Sequence, residues 1–105
     1  MDDTLILLST TYEQNKYGVA VPTNTEKEIF CDRRSISRSE FFNAGRNGLN
    51  PQYVFTVFKG EYNGETVCKY NGLTYAIYRV YETDDDYIEL YVERKGGTNG
   101  AKSDD

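Results

Sequence analysis

The 105-residue chain has no histidine, no tryptophan, two prolines and two cysteines. Without histidine, the commonest general base and the commonest metal ligand are both missing. Neither Cys31 nor Cys68 has a Cys-x-x-Cys partner, so zinc-ribbon and redox motifs are excluded. No imidazole accompanies either thiol, and although Arg33 and Arg34 follow Cys31, a core cysteine in a strand is the simpler reading. Asp84-Asp85-Asp86 lacks the alternating spacing, the glycine and the closing glutamate of a calcium loop. No glycine-rich phosphate loop precedes a helix. The longest apolar run, Leu5–Leu8, is far short of a membrane span. The opening Met-Asp-Asp-Thr lacks the basic start of a secretory signal. Two cysteines without such a signal read as buried, reduced thiols, with a disulfide between them as the alternative. These absences lead us to expect a soluble, intracellular protein that is not an enzyme, with no cofactor and no membrane partner.

Bulky side chains are plentiful. Ten tyrosines and five phenylalanines are too many for a disordered chain and enough for one core. The length predicts one domain over residues 1–94, followed by a flexible, Gly-rich tail at 95–105. The net charge of −5 makes the chain a poor candidate for wrapping phosphate backbones. That charge is uneven. Arg33, Arg34, Arg38 and Arg46 face only Glu40 in one segment, while Glu82, Asp84, Asp85, Asp86 and Glu89 face no base in another. Two solvated loops would explain this, as would two complementary patches meeting between subunits.

Leu5–Leu8 reads as a short buried strand. A polar stretch from Ser9 to Thr25 follows, with a turn at Asn15–Gly18 and a possible strand at Val19–Val21 stopped by Pro22. Lys27–Ser35 reads as the next strand. Ser37-Arg38-Ser39-Glu40 has the form of a capping box, with Ser37 capping and Glu40 reaching back. The brief helix continues through Phe41 and Phe42 to a left-handed cap at Gly45. From Gln52 the pattern is β. Apolar residues on both faces of Tyr53–Phe58 suggest burial on both sides or an interface. An Asn63-Gly64 turn leads to Thr66–Tyr70, and Asn71-Gly72 gives the strongest hairpin signal, leading into Leu73–Glu82. Asp84–Asp86 makes a turn, and Tyr87–Glu93 alternates Ile88, Leu90 and Val92 against Tyr87, Glu89 and Tyr91. Six or seven strands, long loops and one short helix indicate a mainly β fold, a small antiparallel barrel or sandwich.

Aromatics on strands could serve a nucleic-acid-binding barrel of the OB type. Seven of the ten tyrosines, however, lie between Tyr62 and Tyr91, beside the acidic cluster that would repel phosphates. Tyrosine is also enriched at protein–protein contacts, which favours an interface.

Several stretches together resemble the head–tail joining proteins of long-tailed bacteriophages and prophages, also called head-closure, head-completion or stopper proteins. They are Glu28-Ile29-Phe30-Cys31-Asp32-Arg33-Arg34-Ser35-Ile36-Ser37-Arg38-Ser39-Glu40-Phe41-Phe42-Asn43-Ala44-Gly45, Pro51-Gln52-Tyr53-Val54-Phe55, Tyr70–Arg79 and Tyr87–Leu90. The likeness spans roughly Leu5 to Glu93. It implies a small β-barrel whose subunits form a ring, twelve-fold in the expected virion, below the portal and adaptor. Such a ring retains packaged DNA, touching it transiently in the channel, and docks the tail through a tail completion or tail tube protein. Assembly would take place in the host cytoplasm, and the final location would be the virion connector. Ser37, Arg38, Glu40, Phe41, Phe42 and Arg46 are then candidates for a channel-lining or partner loop, one held poorly enough to be ordered by a partner. Arg33, Arg34, Asp84, Asp85, Asp86, Tyr87 and Tyr91 are candidates for the subunit interface. A tail completion or tail-terminator barrel is the nearest alternative, and the OB-like module is the alternative of another class.

Overall fold

The computed structural model describes residues 2–95, so the tail expected beyond Lys95 lies outside the described residues. Six strands, β1 (Asp3–Gln14), β2 (Ala20–Ser35), β3 (Pro51–Phe58), β4 (Val67–Tyr70), β5 (Leu73–Glu82) and β6 (Tyr87–Arg94), close into an antiparallel barrel in the order β1-β2-β3-β6-β5-β4. One α-helix, α1 (Arg38–Arg46), joins β2 to β3, and a single 3₁₀ turn follows β3. The mainly β, one-helix architecture expected from the sequence is the one observed, and its closed form is the barrel rather than the sandwich.

Alternation decides what fills the barrel. Leu5 and Leu7, Ile29 and Cys31, Phe55 and Val57, and Ile88, Leu90 and Val92 all point inward and are essentially inaccessible to solvent. Tyr70 and Tyr75 close the interior at the end where the β4–β5 hairpin turns. Asn71 (φ 52°) and Gly72 (φ 78°) both take the left-handed conformation, as the Asn-Gly signal requires. Cys31 and Cys68 are both buried and free. Burial pushes each thiol up to about 12, with Asp3 and Asp32 adding to the effect at Cys31. Neither is an activated thiolate.

Four local expectations need correction. First, β1 does not stop at Leu8 but runs to Gln14. Second, β2 is one continuous strand from Ala20 through Pro22 to Ser35. Proline is tolerated because of its register. The Asn15 amide donates to the Val19 carbonyl (3.0 Å), and counting alternate pairs from there makes Tyr12–Pro22 a non-hydrogen-bonded pair. The N–H that proline lacks would have pointed away from β1, on an edge that no strand among the described residues covers. Third, Gly45 lies inside α1; the helix ends at Arg46 with Asn47 as its C-cap, and the left-handed residue is Gly48 (φ 80°). Fourth, Ser37 caps as expected, its hydroxyl accepting from the Glu40 amide (3.2 Å), but the Glu40 carboxylate does not reach back. It is drawn instead to β5.

That attraction depends on a β-bulge. Ile77 pairs with Val92 and Arg79 with Tyr91, so Tyr78 is the extra residue. The bulge brings two consecutive side chains to one face. The Tyr78 hydroxyl donates to Glu40 Oε2 (2.8 Å), and Arg79 Nη2 donates to Glu40 Oε1 (2.5 Å). Ala44, on the same side of α1 as Glu40, is buried, as is Val54 on the outward side of β3. The helix therefore lies against the outer wall of the barrel, over β3, β6 and β5, and the two apolar faces of β3 are explained in part by α1.

Candidate protein-interaction surfaces

Beyond the barrel, β1 and β2 continue as a two-stranded ribbon. β4 covers β1 only from Ile6 to Leu8, and β3 covers β2 only from Cys31 to Ser35. Among the described residues, from Ser9 to Gln14 and from Ala20 to Phe30 the two strands pair only with each other. Six residues at about 3.3 Å each project the ribbon roughly 20 Å past the last covered pair, in keeping with a long axis of 52 Å against a short axis of 23 Å. No apolar face holds it. Ser9 and Thr25 share a hydroxyl bond (2.8 Å), and Thr10 donates to Asn24 Oδ1 (2.9 Å). At the tip, Asn15 Oδ1 accepts from the amides of Tyr17 (2.8 Å) and Val19 (3.1 Å), and Gly18 supplies the positive φ of 76°. Tyr12 (70% exposed), Tyr17, Val19 and Val21 are left in solvent. At its root, Lys69 pairs with Glu26 (3.2 Å) and Lys27 Nζ donates to the Glu61 carbonyl (3.0 Å). A groove of about 730 Å³, lined in part by Ser9, Asn24, Glu65 and Lys95, runs along this root.

The second surface is the outer wall. At about 100° per residue, Arg38, Phe42 and Arg46 fall within roughly 80° of one another on α1, and Phe41 is their neighbour. Glu40 and Ala44 occupy the opposite side, against the barrel. Phe41 and Phe42 stay half or more exposed, with their rings edge to face at 6.1 Å. The structure thus brings together five of the six residues assigned to a partner loop as an outward ridge or its anchor, with Ser37 as its cap.

The residues assigned to a subunit interface separate. Arg34 Nη2 bonds Glu89 Oε2 (2.6 Å) within its own chain, and this bond, with one to Tyr91, raises the guanidinium's pKa. Arg33 stacks over Tyr53 (4.8 Å) and Tyr70 (5.8 Å) at the barrel mouth. Tyr91 donates to Glu89 Oε1 (3.0 Å) and carries Arg79 on its ring (4.2 Å). These groups are engaged internally. Asp84, Asp85 and Asp86 sit in the β5–β6 turn, at the opposite end of the strands from the β2–α1 junction, with Asp84 Oδ1 accepting from the amides of Asp86 (2.8 Å) and Tyr87 (2.9 Å).

Sequence reasoning missed three members of the wall, Phe30, Phe58 and Tyr81. Phe30 (62% exposed) stands outward between buried Ile29 and Cys31, and Phe58 stands outward after buried Val57. Alternation within each strand was the available signal. The Cys31–Val57 register places Phe30 level with Phe58, and Phe58 pairs with Tyr87, the two rings meeting edge to face at 6.0 Å. Tyr81, on the outward side opposite Glu89, extends the row to β5.

Among the described residues, no group of three or more His, Cys, Asp or Glu side chains is placed to hold a metal ion. Among the same residues, no helix is long and apolar enough to cross a membrane. No protein-family model matches the chain, and no curated protein matches it.

Proposed function

We propose that this chain is a structural subunit of a phage connector, a head-completion protein that joins a ring below the portal and adaptor, retains packaged DNA and docks the tail. The supporting observation is the β1–β2 ribbon. It is a long, ordered projection with uncovered strand edges and exposed Tyr12 and Tyr17, and it contributes nothing to the core of its own subunit. Uncovered edges are liabilities that monomers blunt or cover, so a projection of this kind favours an assembly partner. The partners in this reading are other copies of the chain, the adaptor and portal above, and a tail completion or tail tube protein below, with DNA passing the ring.

Disruption of the gene in the phage or prophage that carries it tests the reading. Electron microscopy of the lysate should show heads emptied of DNA beside separate, complete tails. Full heads with tails of uncontrolled length would assign the chain to tail termination, and normal tailed particles would refute a role in assembly.

A further inference from the structure

The ridge of α1 and the aromatic row lie on the same wall of the barrel. α1 covers the lower part of β3, β6 and β5, at Val54, Tyr91 and Arg79; Phe58 and Tyr87 stand four residues higher on β3 and β6. At about 3.3 Å per residue that offset is roughly 13 Å. A helix stands about 10 Å proud of the sheet it covers. The wall therefore has a step: a basic ridge carrying Arg38, Phe41, Phe42 and Arg46 beside a bare shelf carrying Phe30, Phe58, Tyr81 and Tyr87. The shelf is bordered by the acidic turn, because Tyr87 follows Asp86 directly and the Lys59 amide donates to the Asp86 carbonyl (2.7 Å).

We infer that two copies of this chain associate face to face about a two-fold axis, the α1 ridge of each seated on the aromatic shelf of the other. Three features select a second copy as the occupant. Ridge and shelf are complementary in shape, apolar on both sides, and opposite in charge at their margins, with Arg38 and Arg46 against Asp84–Asp86. Because both patches share one wall, a two-fold rotation satisfies both at once. A head-to-tail contact would satisfy one and leave the other in water. Arg34 and Glu89, lying between the patches and already paired, are placed near the axis without an uncompensated charge.

The contact is small. Four strands about 4.8 Å apart and eight residues long give a face of about 350 Å² in projection for each copy. Stable complexes bury about 1,200 Å² or more in total, so the dimer is a weak one, displaceable by a larger partner. It does not rest on the head-completion reading and stands or falls separately.

Sedimentation velocity of the full chain, from micromolar to sub-millimolar concentration, tests it. The expected result is a monomer–dimer equilibrium that weakens as salt is raised. Reversing Arg38→Glu with Arg46→Glu should weaken the dimer by about tenfold or more, as should Asp85→Lys with Asp86→Lys, which leave the turn-holding Asp84 in place. Combining the four reversals should restore it. Phe42→Ser should weaken it at unchanged charge, with circular dichroism confirming the fold of every variant. A monomer at all concentrations, a dimer indifferent to the single-patch reversals, or a combined variant that stays monomeric would each overturn the inference.

Discussion

β1 changes character at Leu8. Before it, Leu5 and Leu7 are sealed inside the closed barrel; after it, the strand pairs with β2 alone and leaves Thr10 and Tyr12 in solvent. One strand thus carries the two extremes of strand energetics. The closed part gains from burying side chains, at about 25 cal/mol per Å² of apolar surface. The ribbon gains only a ladder of backbone bonds and a few exposed hydroxyl contacts, whose net contributions are small. Strand pairing by itself therefore says little about stability, and much about what a segment is free to meet.

The sharpest contrast comes from truncating one side chain on each side of that boundary. Phe55→Ala should cost about 3–5 kcal/mol, the range for emptying a packed aromatic site, because Phe55 is wholly buried among Tyr53 and Tyr70. Tyr12→Ala should stay within about 0.5 kcal/mol, as for a surface position. Urea unfolding of the two variants measures both, and a similar loss from each would erase the distinction between barrel and ribbon.

Alkali probes the barrel through its thiols. Cys31 and Cys68 hold their protons to about pH 12 when folded, whereas exposed thiols in the unfolded chain release theirs near the ordinary value of 9.0. The unfolded state therefore binds fewer protons between these limits, and stability present below pH 9 must fall as pH rises toward 12. Each thiol should contribute a slope of about 1.4 kcal/mol per pH unit in that window. Buried tyrosines with raised pKa values, Tyr70 and Tyr75 among them, add a loss of the same sign above their ordinary value of 10.0. Stability measured at successive pH values should show the decline, and Cys31→Ala with Cys68→Ala should make it shallower. An unchanged slope in the double variant would place the thiols in contact with solvent.

A smaller effect is expected where α1 meets the wall. Glu40→Gln removes the charge that faces Arg79 and should cost about 1 kcal/mol, since Arg79 remains half-exposed. Amide exchange across Phe41–Gly48 should quicken more than exchange in β3. Equal exchange in both segments would mean that Glu40 does not anchor the helix.

Where side chains carried a clear physical preference, the fold was readable from the sequence. Asn71-Gly72 could satisfy two positive φ angles, and Ile88, Leu90 and Val92 could point only one way. Ser37 had the oxygen to cap α1, and the outward set Arg38, Phe41, Phe42 and Arg46 followed from the helix that it starts. The ribbon was unreadable because Ser9–Thr11 and Thr23–Thr25 are polar on both faces, leaving no period-two signal, while Pro22 reads as a stop unless its register is known. Glu40 had a local partner in the capping box and a distant one in Arg79, and only the bulge at Tyr78 decides between them. The shelf was hidden for a similar reason. Alternation sets Phe30 opposite Ile29 and Cys31, and Phe58 opposite Val57, but only the register shows the two phenylalanines level.

Shortening the ribbon isolates the central claim, that the barrel needs nothing beyond Ser9 and Thr25 to fold. The Ser9–Thr25 pair falls in the hydrogen-bonded class of the ladder, so an Asn-Gly turn between them should close a two-residue hairpin. Urea unfolding of that chain is the direct measurement. The free energy of unfolding should stay within about 1 kcal/mol of the intact protein, since no core contact is removed. A loss of several kcal/mol, or failure to fold, would show that the ribbon holds the barrel together and contradict the division of the molecule into a self-sufficient barrel and a projection held for a partner.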